Sequence, residues 1–147
     1  MDGQSEAIID LGAIEANVTA MDRHVGSAQV MAVVKSDGYG HGMVPTARAA
    51  IAGGATWLGV GHIEEALRLR RAEISAPVLC LLAAPDAPHR AAVAAGVDLS
   101  AGTPSLVRQI GKAAVADGRP APPPPTADTR MRPRGGAAAT THNRVAI

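Results

Sequence analysis

The stretch Val33-Val34-Lys35-Ser36-Asp37-Gly38-Tyr39-Gly40-His41-Gly42 brings a primary amine, a phenol and an imidazole into one short segment. The lysine stands at the end of an apolar run, Val30 to Val34, and a glycine-broken polar loop follows at once. An apolar run of this kind reads as a buried strand. A lysine amine withdrawn from bulk water sheds its proton readily, and then serves as a nucleophile or a Schiff-base former. Tyr39 is the only tyrosine in the chain. The blander interpretation is a surface lysine before an ordinary turn. The tyrosine, His41 and three glycines at these offsets weigh against it.

The elements around this segment must place the amine. Residues 7 to 119 read as alternating strands and helices. Ala7-Ile8-Ile9-Asp10-Leu11 is expected as a short strand, after which Leu11, Ile14, Val18 and Met21 recur at helical spacing and Gly26 is the stop. Gln29 to Val34 is the strand that delivers Lys35. Val44, Ala47 and Ile51 mark the next helix, with Pro45 in its first turn and Gly53-Gly54 closing it. The cycle repeats three times: Thr56 to Val60 then His62 to Arg71; Pro77 to Leu82 then Ala87 to Ala95; Val97 to Ser100 then Pro104 to Ala116. Glu64 is spaced to pair with Arg68 one helical turn on. Strands separated by single helices imply right-handed crossovers and a parallel sheet. That alternation suits a (β/α)8 barrel or a doubly wound sheet equally. In an extended strand Met31, Val33 and Lys35 share one face. In a barrel, that parity aims Lys35 into the mouth at the strand C-terminal ends.

After Gly118 the character changes. Arg119-Pro120-Ala121-Pro122-Pro123-Pro124-Pro125 comes where a fifth central strand is due, and proline cannot donate to a ladder. Extended polyproline-type chain is expected there. Thr126 to Ile147 has no apolar periodicity and reads as disordered or weakly ordered. The division expected is residues 1–119 as the folded part and 120–147 as a low-complexity tail.

Composition narrows the function classes. Hydrophobic residues make up 47% of the 147, enough for a core, but alanine and valine dominate and phenylalanine is absent. A net charge of +1 and no basic stripe interleaved with aromatics leave nucleic-acid binding without support. No apolar run reaches the roughly 20 residues of a membrane helix, so a membrane span is not expected. Met1-Asp2-Gly3-Gln4-Ser5-Glu6 lacks the form of a signal peptide. A soluble, cytoplasmic protein is expected. Cys80, the only cysteine, excludes an internal disulfide and reads as a small core residue. His24, His62, His89 and His142 show no metal-ligand spacing, and no metal is expected. His41 reads as a polar loop or capping residue, Asp37 as the source of an Asx turn, and Trp57 as core.

The Lys35 segment resembles the pyridoxal 5′-phosphate (PLP) attachment site of alanine racemases. Two further stretches carry the likeness, Ile9-Asp10-Leu11-Gly12-Ala13-Ile14-Glu15-Ala16-Asn17 and Gly59-Val60-Gly61-His62-Ile63-Glu64-Glu65-Ala66. The resemblance implies that Lys35 holds PLP as an imine and acts as one of two proton-transfer groups. It implies that Tyr39 helps bind the cofactor phosphate. It also implies alanine as substrate, a homodimer, and an α/β fold that is a partial (β/α)8 TIM barrel of about four βα units. The family's fifth strand leads into a lysine-x-aspartate-threonine-glycine-methionine-glycine-arginine segment. Here Thr126-Ala127-Asp128-Thr129-Arg130-Met131-Arg132-Pro133 matches at Asp128, Thr129 and Met131 only. The later strands and C-terminal domain of such racemases, with their second catalytic tyrosine, have no counterpart in these residues. Isolated chain of this extent is therefore expected to be inactive. The alternatives are a non-enzymatic PLP-binding barrel like the PLP-homeostasis proteins, and a truncated product without function.

Overall fold

Asp10 starts the first element. Its carboxylate accepts a hydrogen bond from the Ala13 N–H at 3.0 Å and caps helix α1, Leu11–Val25. The expected strand at Ala7–Leu11 is absent: residues 6–10 form neither helix nor strand, and Ile8 is 82% exposed. The capping aspartate and the helical spacing after it outweigh the short apolar run. The computed structural model describes residues 6–116 and 144–146.

The remaining elements follow the expected alternation. They are β1 (Gln29–Val33), α2 (Lys35–Tyr39), α3 (Met43–Ala52), β2 (Trp57–Val60), α4 (Ile63–Arg71), β3 (Val78–Cys80), α5 (His89–Ala94), β4 (Asp98–Leu99), α6 (Pro104–Ala116) and β5 (Arg144–Ala146). The sheet runs β4-β3-β2-β1-β5, and every neighbouring pair is parallel. Met31 pairs with Trp57, Val33 with Gly59, Leu58 with Val78 and Leu79 with Asp98. The first four strands and their helices form an open segment of a TIM barrel.

Three residues of the stretch expected as tail form strand β5. Arg144–Ala146 pairs along the outer edge of β1, Val145 opposite Val30. An unpaired parallel edge presents a row of free N–H and C=O groups, and this short strand satisfies part of it. The rest of the expected tail, including the proline run and Thr126–Pro133, lies outside the described residues.

The two faces of the sheet differ. Val30, Ala32, Val34, Leu58, Val60, Val78, Cys80 and Leu99 pack under the helices with Met43, Ala47, Ile63, Ala66 and Leu69. Met31 and Val33 point the other way, with Gly59 beside them: a Cβ there would lie 3.1 Å from Val33 Cγ2 and 3.4 Å from Met31 Sδ. This second face is the one a closed barrel turns inward.

Arg70 binds the lower end of the layer together. Its guanidinium donates to the carbonyls of Ala95 (2.9 Å), Ile74 (2.7 Å), Ala76 (2.9 Å) and Gly96 (3.1 Å). Burial lowers its pKa from the ordinary value, and the Asp98 charge opposes that shift. One side chain thus joins the end of α4 to the loop before β3 and the turn before β4.

Candidate active site

β1 delivers Lys35 to the C-terminal edge of the sheet. The Val34 N–H donates to Gly59 O at 2.8 Å, which carries the ladder one step past β1. Lys35 follows, half-buried, on the side of Met31 and Val33. Its stem runs beside Gly61, where a Cβ would stand 3.7 Å from Lys35 Cβ and 4.0 Å from its Cδ. A larger residue at position 61 would crowd the lysine. Lys35 Nζ lies 5.3 Å from the centroid of the Tyr39 ring, within cation–π range. Tyr39 itself is 59% exposed at the open mouth.

The chain then makes a left-handed turn. Ser36, Asp37, Gly38, Tyr39 and Gly40 all have positive φ, from 53° to 85°. The turn is closed by Gly38 N–H to Val34 O (2.9 Å), Gly40 N–H to Ser36 O (3.2 Å) and Gly42 N–H to Asp37 O (2.8 Å). Three of these residues carry a Cβ, at about 1–2 kcal/mol of strain each. Such a turn persists only where its surroundings hold it.

Two side chains of α4 supply that hold. The Glu65 carboxylate accepts from the Ser36 N–H at 2.7 Å through Oε1. Through Oε2 it accepts from the N–H groups of Gly61 (2.8 Å) and His62 (3.2 Å). Arg68 reaches Asp37 Oδ1 at 2.9 Å. The expected Glu64–Arg68 pair is therefore replaced by a bridge to a residue far back in sequence. Helical spacing shows only local partners, whereas the fold brings the Asp37 carboxylate to Arg68 from the loop after β1. Asp37 also departs from the expected Asx turn: the same oxygen accepts from the Met43 N–H at 3.0 Å and caps the start of α3. His41 behaves as a loop residue, its Nδ1–H donating to Gly38 O at 2.9 Å.

Sequence reasoning missed Glu65. The one available signal was the Glu64-Glu65 pair in the first turn of a helix, which reads equally as dipole compensation. Cys80 fits its core reading: it is buried, its thiol donates to Gly61 O at 3.3 Å, and burial raises its pKa. Two surface grooves, about 420 and 480 Å³, run along α1 on the far side of the layer, and neither is lined by Lys35 or Tyr39. Among the described residues no three His, Cys, Asp or Glu side chains gather to hold a metal, and no helix is long and apolar enough to cross a membrane.

Comparisons with known proteins identify the family. The family profile "Alanine racemase, N-terminal domain" matches residues 9–146. The alanine racemase of Frankia casuarinae is 52% identical over 130 residues, covering 88% of this chain and 34% of that protein. That of Thermobifida fusca is 52% identical over 110 residues, covering 75% of this chain and 29% of the relative. Among solved structures, the alanine racemase of Streptomyces coelicolor superposes with a TM-score of 0.73 at 46% identity, covering 77% of this chain and 30% of that one. The enzyme of Streptomyces lavendulae gives 0.74 at 45% identity over the same shares. The chain spans about a third of the length of the curated relatives it matches. On these matches, and on a parallel βα layer that superposes on solved racemase structures, the chain belongs to the alanine racemase family and matches its N-terminal portion.

Proposed function

We propose that this chain is the lysine-bearing part of a PLP-dependent racemase that interconverts L- and D-alanine in the cytoplasm, and that its 147 residues alone do not complete the reaction. The observation that carries the reading is the placement of Lys35 past the end of β1, on the inward face, next to Tyr39.

The residues present fit the cofactor. In PLP the aldehyde and the phosphate-bearing arm stand on adjacent ring carbons. The groups that hold them must therefore lie side by side, as the Lys35 amine and the Tyr39 ring do at 5.3 Å. Gly61 leaves the lysine stem room to turn toward the mouth. Lys35 would hold the aldehyde carbon covalently, and the Tyr39 hydroxyl would donate to the phosphate. When bound, the cofactor supplies an electron sink that makes the substrate's α-hydrogen acidic. Racemisation needs one proton-handling group on each face of that carbon. The Lys35 amine would be placed to take or return the proton on its own face. Tyr39 is committed to phosphate, and these residues hold no second tyrosine for the opposite face. That group, and the two-fold partner that would bring it, come from outside this chain.

The test is to add PLP to the purified chain and record the visible spectrum. L-alanine is then supplied in heavy water, and optical rotation and loss of the α-hydrogen are followed. A red-shifted cofactor band without loss of rotation is expected. Full racemisation by these 147 residues would overturn the claim that they are insufficient. A spectrum that remains that of free PLP would overturn the cofactor assignment.

A further inference from the structure

We propose that Glu65 is a positioning residue for Lys35, a role that rests on the PLP reading above. Three backbone N–H groups from two loops converge on its one carboxylate: Ser36 at 2.7 Å, Gly61 at 2.8 Å and His62 at 3.2 Å. Ser36 directly follows Lys35, and Gly61 is the residue the lysine stem lies against. Glu65 therefore ties the backbone behind the amine to the wall beside it. Bonds to an ionised carboxylate are stronger than neutral ones. The carboxylate also sits at the first turn of α4, where the helix dipole favours negative charge.

The left-handed turn makes this tie consequential. Ser36 has φ 54° and ψ 48°, a conformation a serine does not hold unaided. Its N–H is fixed by Glu65 across 29 positions of sequence. Without that anchor Ser36 can relax to negative φ, and the relaxation swings the Lys35 side chain away from Gly61 and Tyr39. The Arg68–Asp37 bridge acts on the next residue, but its side chains are 53% and 52% exposed and solvent weakens it. Glu65 is half-buried and is the stronger clamp.

The chain holds an internal control. It has two lysines, Lys35 and the exposed Lys112 on α6. PLP added in limiting amount condenses with either amine, releasing water. Borohydride then delivers hydride to the C=N carbon and fixes the label as a secondary amine that peptide mass spectrometry can count. In the parent chain the label is expected mainly on Lys35. In Glu65→Gln, which keeps the side-chain shape and loses the charge, the Lys35-to-Lys112 ratio is expected to fall about tenfold, the scale of one charge-assisted hydrogen bond. Circular dichroism checks that the variant keeps the parent's fold. A retained ratio in the folded variant overturns the positioning role. No Lys35 preference in the parent overturns the cofactor reading itself, and the proposal with it. A measurement on the parent alone needs no variant: amide hydrogen exchange without PLP is expected to be slow at Ser36 and Gly61. Exchange there at the open-chain rate overturns the clamp even if PLP binds.

Discussion

Alanine at position 38 asks how tightly the turn behind Lys35 is enclosed. Gly38 has φ +64°, and a Cβ there would stand 3.0 Å from Thr46 Oγ1, 3.3 Å from Thr46 Cβ and 3.5 Å from Met43 Cα. At a compatible position, glycine to alanine stabilises by about 0.4–1 kcal/mol, because the unfolded chain loses freedom. Positive φ opposes that gain by about 1–2 kcal/mol. Gly96 isolates the strain, since it has the same φ of +64° with none of the described residues within 4 Å of its Cβ position. Gly96→Ala is therefore expected to cost about 1 kcal/mol net. Gly38→Ala adds the crowding against Thr46 and Met43 and is expected to cost about 2–3 kcal/mol. Among the described residues Thr46 Oγ1 is buried without a hydrogen-bond partner, so its removal relieves an unsatisfied group. Thr46→Ala alone should then stay within about 1 kcal/mol of the parent, and the double variant should recover about 1 kcal/mol of the Gly38→Ala loss. Urea unfolding, followed by far-ultraviolet circular dichroism and the fluorescence of Trp57, the only tryptophan, reads all four. Equal losses at positions 38 and 96, or a stabilised Gly38→Ala, would refute the enclosure argument.

Two further outcomes concern stability. Arg70→Met keeps the stem and deletes hydrogen bonds to four carbonyls, and is expected to cost about 3 kcal/mol. Arg70→Lys should recover less than half of that, because an ammonium cannot reproduce the fork; a Met variant as stable as the parent would contradict the role given to Arg70. Cys80 links stability to alkaline pH. Burial raises its thiol pKa in the folded chain, with the Glu64 and Glu65 charges adding to the shift and a Leu82 backbone hydrogen bond opposing it. At lower pH the thiol is neutral in both states and its contribution is complete. As pH passes the ordinary thiol value, the unfolded chain releases its proton first, so the contribution fades until the folded thiol also ionises. Comparing urea midpoints near about pH 8 and about pH 10 should show a larger loss for the parent than for Cys80→Ala; equal losses would contradict it.

The four βα units were legible because each writes its own punctuation. Val30 to Val34 ends in a charge, Gly53-Gly54 closes α3, and Gly96 closes α5 with β4 close behind. Lys35 and Tyr39 stood out as candidates because their residue types contrast with an alanine- and valine-rich background, and the structure sets the two side by side. What stayed hidden depends on distant partners. Nothing local in Ser36-Asp37 calls for positive φ, and the turn exists because Glu65 and Arg68 hold it from α4. The same distance hid the Arg68–Asp37 bridge behind the nearer Glu64. Arg144–Ala146 has too few residues to announce a strand, and only the open edge of β1 makes it one. At Ala7–Leu11 the error ran the other way, with an apolar run outweighed by the cap at Asp10.

One amine, at the edge where β1 ends, is proposed as the point of cofactor attachment. Its most direct test is a PLP titration of three proteins: the parent chain, Lys35→Gln and Lys112→Gln. The same red-shifted band is expected in the parent and in Lys112→Gln, and none in Lys35→Gln. A band that survives in Lys35→Gln, or that disappears with Lys112, would contradict it.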